Sequence, residues 1–208
     1  MKFLGYDSAF MRFFIRLFRI TIANLLWLLG CLPVVTVGAS TAGLYVAMDR
    51  LRLDDQDVFG NYRRGFKTHW KKATIGWLIV AAFAAVLIYE YHLYKMEFFK
   101  GHTVLTVILI IAVVTLTFVA LWFFPILINF VGSFGDIAGN AFIFAFMYAP
   151  LTLVSVALYA GLFYLIFRIP YLMWIAFLFG NALIVYISLG IYEFGLRKYR
   201  KRPEDSKE

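Results

Sequence analysis

The sequence predicts an all-α, polytopic helical membrane protein: one integral membrane domain over residues 1–208. Three observations predict it. Apolar stretches run over residues 20–48, 73–94, 103–131, 141–167 and 171–192, and the last four have uncharged interiors. Each of those four supplies the roughly 20 apolar residues that a helix needs to cross the hydrocarbon core. Charged residues make up only 15% of the chain, against about a quarter in soluble domains, so a water-facing side is missing from most elements. Basic residues cluster between the stretches, as they do in the loops of membrane proteins.

Residues 1–19 form a basic amphipathic N-terminus, with Lys2, Arg12, Arg16 and Arg19 against Asp7. The arginines alternate with Phe10, Phe13, Phe14 and Phe18, and no small-residue cleavage site follows, so this is not read as a cleaved signal. Arg12, Arg16 and Arg19 share a helical face and suit lipid headgroups.

The stretch 20–48 is broken at Pro33, with Thr36, Gly38, Ser40, Thr41 and Gly43 close behind. Proline has no N–H and disfavours helix in the residue before it, so Leu32 leaves the helix. A second helix then starts near Thr36 or Ser40. Pro33, Thr36 and Gly38 mark the structural break. Two geometries fit: a re-entrant hairpin keeping both basic flanks on one side, or a single crossing with the N-terminus outside. Non-helical backbone at membrane depth needs cover from protein or water.

The connection 49–72 carries Arg50, Arg52, Arg63, Arg64, Lys67, Lys71 and Lys72. Phe59, Tyr62, Phe66 and Trp70 recur at helical spacing, beside a stripe of Arg63, Lys67 and Lys71 four residues apart. One reading is a helix flat on the inner leaflet, its aromatics inward and its cations toward anionic lipid. The sharper one is a docking surface for a protein partner. Asp54, Asp55 and Asp57 lack the spacing and glutamate of a calcium loop and suit a helix N-terminus instead.

Positive charge places residues 49–72 and the basic tail 197–208 in the cytoplasm. Four crossings between them satisfy parity, although residues 132–140 then face the cytoplasm without a cation. Gly132, Gly135 and Gly139 permit a tight turn there. Glu90 and His92 sit at one end of the second stretch, and Glu193 at the end of the fifth, four residues before Arg197 as a possible partner. End positions let such groups reach water, so no midplane charge of the kind used in coupled transport is present. Asn24, Asn129 and Asn181 can either line a common polar pocket or bond neighbouring helices. Trp27, Trp77, Trp122, Trp174 and Tyr192 are among the aromatics that suit the interfacial belts.

Cys31 is the only cysteine, so neither an intramolecular disulfide nor a cysteine metal site is available. Metalloprotease, nucleophile-elbow and Walker patterns do not occur. The expectation is no enzyme activity and no cofactor. A net charge of +8 suggests nucleic acid in a soluble chain. Here the charge adjoins membrane segments, so lipids are the expected partners and nucleic acid is not.

The run from Asn24 to Trp27, followed by Cys31-Leu-Pro33-Val-Val-Thr36-Val-Gly38, resembles the opening signature of the YesL family of bacterial membrane proteins. Phe66-Lys67 followed by Trp70-Lys-Lys-Ala73, Pro125 through Phe130, and Gly139-Asn140-Ala141 resemble its later landmarks. The family's activity is not established. Its members are often encoded beside carbohydrate uptake transporters in Gram-positive bacteria. The resemblance therefore implies an accessory or regulatory subunit in the plasma membrane, with transporter subunits as possible partners, and no catalytic residue. The alternatives are a small transporter or channel for a sugar or other neutral solute, and a lipid-binding membrane organiser.

Overall fold

The computed structural model describes residues 9–95, 103–169 and 171–196, which are helical almost throughout and contain no strand. Lys2, Asp7, Arg197 and the rest of the tail lie outside the described residues, and the side chains of Glu90 and His92 are likewise outside. Helix α1 (Ala9–Gly30) leads through a 3-10 turn (Val34–Thr36) to α2 (Val37–Arg52). Helices α3 (Val58–Lys95), α4 (Thr103–Asn129), α5 (Phe134–Met147) and α6 (Ala149–Arg168) follow. The last element is α7 (Tyr171–Ile175), joined by a π-helical turn (Ala176–Gly180) to α8 (Asn181–Leu196). Among the described residues, five helices are long and apolar enough to cross a membrane: Phe10–Gly30, Val58–Tyr89, Val107–Asn129, Ala149–Arg168 and Tyr171–Leu196. The fold is that of a multi-pass membrane protein.

The interrupted first stretch is a helical hairpin. Helix α1 ends at Gly30, before Pro33, whose extended backbone (φ −79°, ψ 119°) opens the 3-10 turn. The Thr36 side chain then takes up the Gly30 carbonyl that the break releases, and other side chains add second bonds to carbonyls that already accept a backbone N–H. The Thr36 hydroxyl donates to the Gly30 carbonyl at 2.7 Å and lies 2.8 Å from that of Pro33. Ser40 donates to the Trp27 carbonyl at 2.8 Å, and Trp77 Nε1–H donates to the Val34 carbonyl at 2.9 Å. Thr36 is the N-cap residue of α2, but its hydroxyl turns back to these carbonyls instead of capping. The tip is nevertheless apolar and exposed, with Leu32 77%, Val34 70% and Val35 59% accessible. A satisfied backbone beneath an apolar tip is what lipid requires of a non-helical segment.

At the hairpin's open end Arg16 pairs with Asp54 at 2.9 Å, and Arg19 donates to the Gln56 side chain at 2.6 Å. Both basic flanks therefore meet at one end of the bundle, as the hairpin reading requires. Helix α2, about 24 Å long at 1.5 Å per residue, runs back beside α3 and α8.

Three sequence expectations need correction. The connection 49–72 is not a separate surface helix: α2 continues to Arg52 and α3 starts at Val58, leaving only five residues between. Within that turn Asp54 ends α2 in the left-handed region (φ 61°), with Asp55 N–H donating to the Arg50 carbonyl at 3.0 Å. Only Asp57 caps α3, accepting from Gly60 N–H at 2.9 Å. The fourth stretch is broken too. Helix α5 stops at Tyr148, because Pro150 has no N–H to continue the ladder.

Two apolar cores hold the bundle. One joins α1, α2, the start of α3 and α8 through Ile20, Leu44, Met48, Leu51, Val58 and Val185. The other joins α4, α5 and α8 around Trp122, Ile126, Ile137, Phe144 and Tyr192. Trp122 and Tyr192 are fully buried, so they belong to this core and not to an interfacial belt.

The α4–α5 turn closes on a capping box. Ser133 N–H and its hydroxyl both donate to Asp136 Oδ2 at 2.7 Å, while Asp136 N–H donates to Ser133 Oγ at 3.2 Å. These bonds, with Lys72 nearby, hold the Asp136 carboxyl below the usual carboxylate range. The stabilisation is complete above the unfolded value of about 3.9 and is lost as pH falls through the lowered folded value. Asp136→Asn is therefore expected to melt below the parent protein at neutral pH and to converge with it on acidification. A thermal melt in detergent across that range checks this; a gap independent of pH contradicts it.

Candidate functional site

The exposed basic face is built by the first four turns of α3. One side of that stretch is locked onto α2 by small residues. A Cβ on Gly65 would lie 2.7 Å from Val46, and one on Gly38 would overlap the Ala73 carbonyl. Close backbone approach through glycine is how helices pack where burial alone provides no drive. Tyr62 is buried on this side and donates to Ser40 Oγ at 2.8 Å, since the Ser40 proton already goes to Trp27. Phe66 is half-buried beside it, with ring centroids 6.3 Å apart.

The opposite side carries Phe59, Arg63, Arg64, Lys67, Trp70 and Lys71, all exposed. Lys71 Nζ lies 5.7 Å from the centre of the Trp70 ring. None of Arg63, Lys67 and Lys71 has an acidic partner among the described residues. The predicted aromatic stripe thus divides: Tyr62 and Phe66 hold the helix, while Phe59 and Trp70 flank the cations. Upstream, Asp55 is held below the ordinary carboxylate range by Asn61 beside it and by the Asp57 N–H, so it stays ionised in the turn that orients this face.

Lys72, next to the exposed stripe, reaches across and donates to the Gly132 carbonyl. This puts a cation on the turn whose own sequence carries none, and places that turn at the same end as the basic stripe. A small polar pocket of about 40 Å³ lies at this end too, among Asp49, Arg52, Asn129 and Glu193. Arg52 there pairs with Glu193 at 2.9 Å and donates to the Tyr186 carbonyl at 3.2 Å. Its guanidinium also lies 5.4 Å from the centre of the Tyr186 ring. Glu193 therefore has a tertiary partner in α2, which the four-residue spacing to Arg197 did not suggest.

The three asparagines do not come together. Asn24 is buried, with its Nδ2 donating to the Phe177 carbonyl at 2.7 Å and its Oδ1 accepting from Ala182 N–H at 3.0 Å. Asn129 lines the small pocket but donates to the Pro125 carbonyl of its own helix at 2.8 Å. Asn181 lines a separate cavity of about 380 Å³ between α3 and α4, which Tyr45 and Tyr159 also border. The tyrosines were not singled out in sequence, where a hydroxyl inside an apolar helix has no distinguishing signal. No group of three histidine, cysteine, aspartate or glutamate side chains able to hold a metal occurs among the described residues.

Neither the curated proteins nor the solved structures contain a match to this chain. Pro125–Phe130 and Gly139–Ala141, the later landmarks of the YesL resemblance, lie beyond the residues that the family model matches. That match covers residues 20–91, which take in the second half of α1, all of α2 and most of α3, and it is to a family described as a protein of unknown function, DUF624, the YesL-type family.

Proposed function

We propose that this protein is a non-enzymatic accessory or regulatory subunit of the bacterial plasma membrane. In this reading it works beside a carbohydrate uptake transporter, with the 49–72 end and the C-terminus in the cytoplasm. The observation that supports it is the outward face of α3. Four cations and two exposed aromatics share it, while the opposite side is fixed on α2. A rigid, one-sign surface of this kind favours an acidic partner by charge complementarity, and aromatic anchors add contact area. Anionic headgroups can hold the same cations before a partner displaces them.

Combined Arg63→Glu, Lys67→Glu and Lys71→Glu is expected to reduce co-purification of transporter components from native membranes at least tenfold. Folding is tested separately by thermal melting, because all three side chains are exposed. Unchanged recovery of the partner in a folded variant contradicts the proposal. A solute transporter is the alternative, supported by Asn181 at the α3–α4 cavity. That cavity's apolar lining suits a hydrocarbon chain better than a sugar.

A further inference from the structure

We infer that the cavity between α3 and α4 is a binding site for an uncharged, hydroxyl-headed membrane amphiphile, a long-chain alcohol or a diacylglycerol. Its walls come from five helices, with Val80, Phe83 and Leu87 on α3 facing Val113, Leu116 and Leu121 on α4. No charged residue lines it. Its volume of about 380 Å³ lies within the range of small-molecule sites. The outward neighbours on both helices, including Val86, Ile110, Ile111 and Val114, are exposed apolar side chains. In a spanning bundle such a surface faces acyl chains, so membrane lipid is what lies at the cavity's mouth.

The polar groups in the wall narrow the choice. The Thr41 hydroxyl donates to the Val37 carbonyl and accepts from Trp27, and Thr117 donates to the Val113 carbonyl. Tyr159 has the hydroxyls of Tyr45 and Ser188 beside it. Asn181 differs: among the described residues its side-chain amide makes no hydrogen bond, although it lines an apolar cavity in a spanning helix. An unsatisfied amide in such surroundings carries a desolvation cost that a ligand can remove. A hydroxyl both donates and accepts, so it matches an amide with both capacities free. A phosphate head would find no cation in the lining, and a sugar would find too few polar partners. The cavity and the basic face of α3 share no residue, so either can be lost without the other.

The test is photocrosslinking of the full-length protein in phosphatidylcholine nanodiscs, using a trace of diazirine-bearing oleyl alcohol. Labelling is expected on residues 80–87 and 113–121, saturable by unlabelled oleyl alcohol and not by phosphatidylglycerol. Asn181→Leu should weaken competition roughly tenfold, the scale of a lost hydrogen bond to a buried group. Ala120→Phe, which fills the lining at another point, should abolish labelling. If Ala120→Phe fails to fold, Ala84→Phe on the facing helix serves the same purpose. Labelling that does not saturate, or that phosphatidylglycerol blocks equally, means ordinary lipid contact and overturns the inference. So does a folded Asn181→Leu protein that competes like the parent, or the absence of labelling in the parent.

Discussion

Replacing Trp122 with alanine is expected to lower the free energy of unfolding by about 3–5 kcal/mol, the range for truncating a fully buried large aromatic. The indole has no exposed surface and packs against Tyr192, Phe144 and Tyr148 at centroid distances of 4.5, 5.6 and 5.8 Å. It also completes a repair. The α5–α6 break releases the Ala145 carbonyl, which the Thr152 hydroxyl takes up at 2.9 Å. Trp122 Nε1–H in turn donates to that hydroxyl at 2.8 Å. Truncation therefore opens a cavity and removes the group that holds Thr152 in place. Trp122→Phe, which keeps most of the ring, should lose about 1 kcal/mol, the worth of one hydrogen bond. Denaturant titration in mixed micelles measures both. A loss under about 1 kcal/mol for the alanine variant contradicts the packing account.

Asn24→Leu is expected to cost roughly 1–3 kcal/mol for each of the two backbone groups it orphans. The π-helical turn Ala176–Gly180 interrupts the last span, and the Asn24 amide sits between the Phe177 carbonyl and the Ala182 N–H. One side chain from α1 thereby bridges a ladder position that lies more than 150 residues away. Asn24→Asp should lose a similar amount, since it keeps the acceptor for Ala182 but sets an oxygen against the Phe177 carbonyl. The two variants are compared by unfolding midpoint in the same micelles. A leucine variant as stable as the parent shows that the π turn does not need Asn24.

How much of this was legible in the sequence varied with the range of the interaction. The spans and the break at Pro33 were, because both follow from local chemistry: uninterrupted apolar residues, and a ring without an N–H. The basic stripe was legible as spacing, since Arg63, Lys67 and Lys71 lie on one side of any helix. Which aromatics stay exposed was not. Tyr62 and Phe59 are three residues apart, yet one is buried against α2 and the other open, and only the position of α2 separates them. The asparagines show the same limit. Each looks alike in an apolar stretch, but one bridges a π turn, one binds its own helix, and one is left free.

By itself, then, the sequence determined the solvent, the number of apolar segments and the break at Pro33, since each depends on a residue and its near neighbours. The tertiary structure decided that the first segment folds back on itself, because that rests on Arg16 meeting Asp54 and Trp77 meeting the Val34 carbonyl. It also decided that Glu193 answers Arg52 across 141 residues. In a bilayer every released carbonyl needs a partner, and a partner can come from any helix the packing brings near. Local pattern shows where those carbonyls arise; only the fold shows which side chain reaches them.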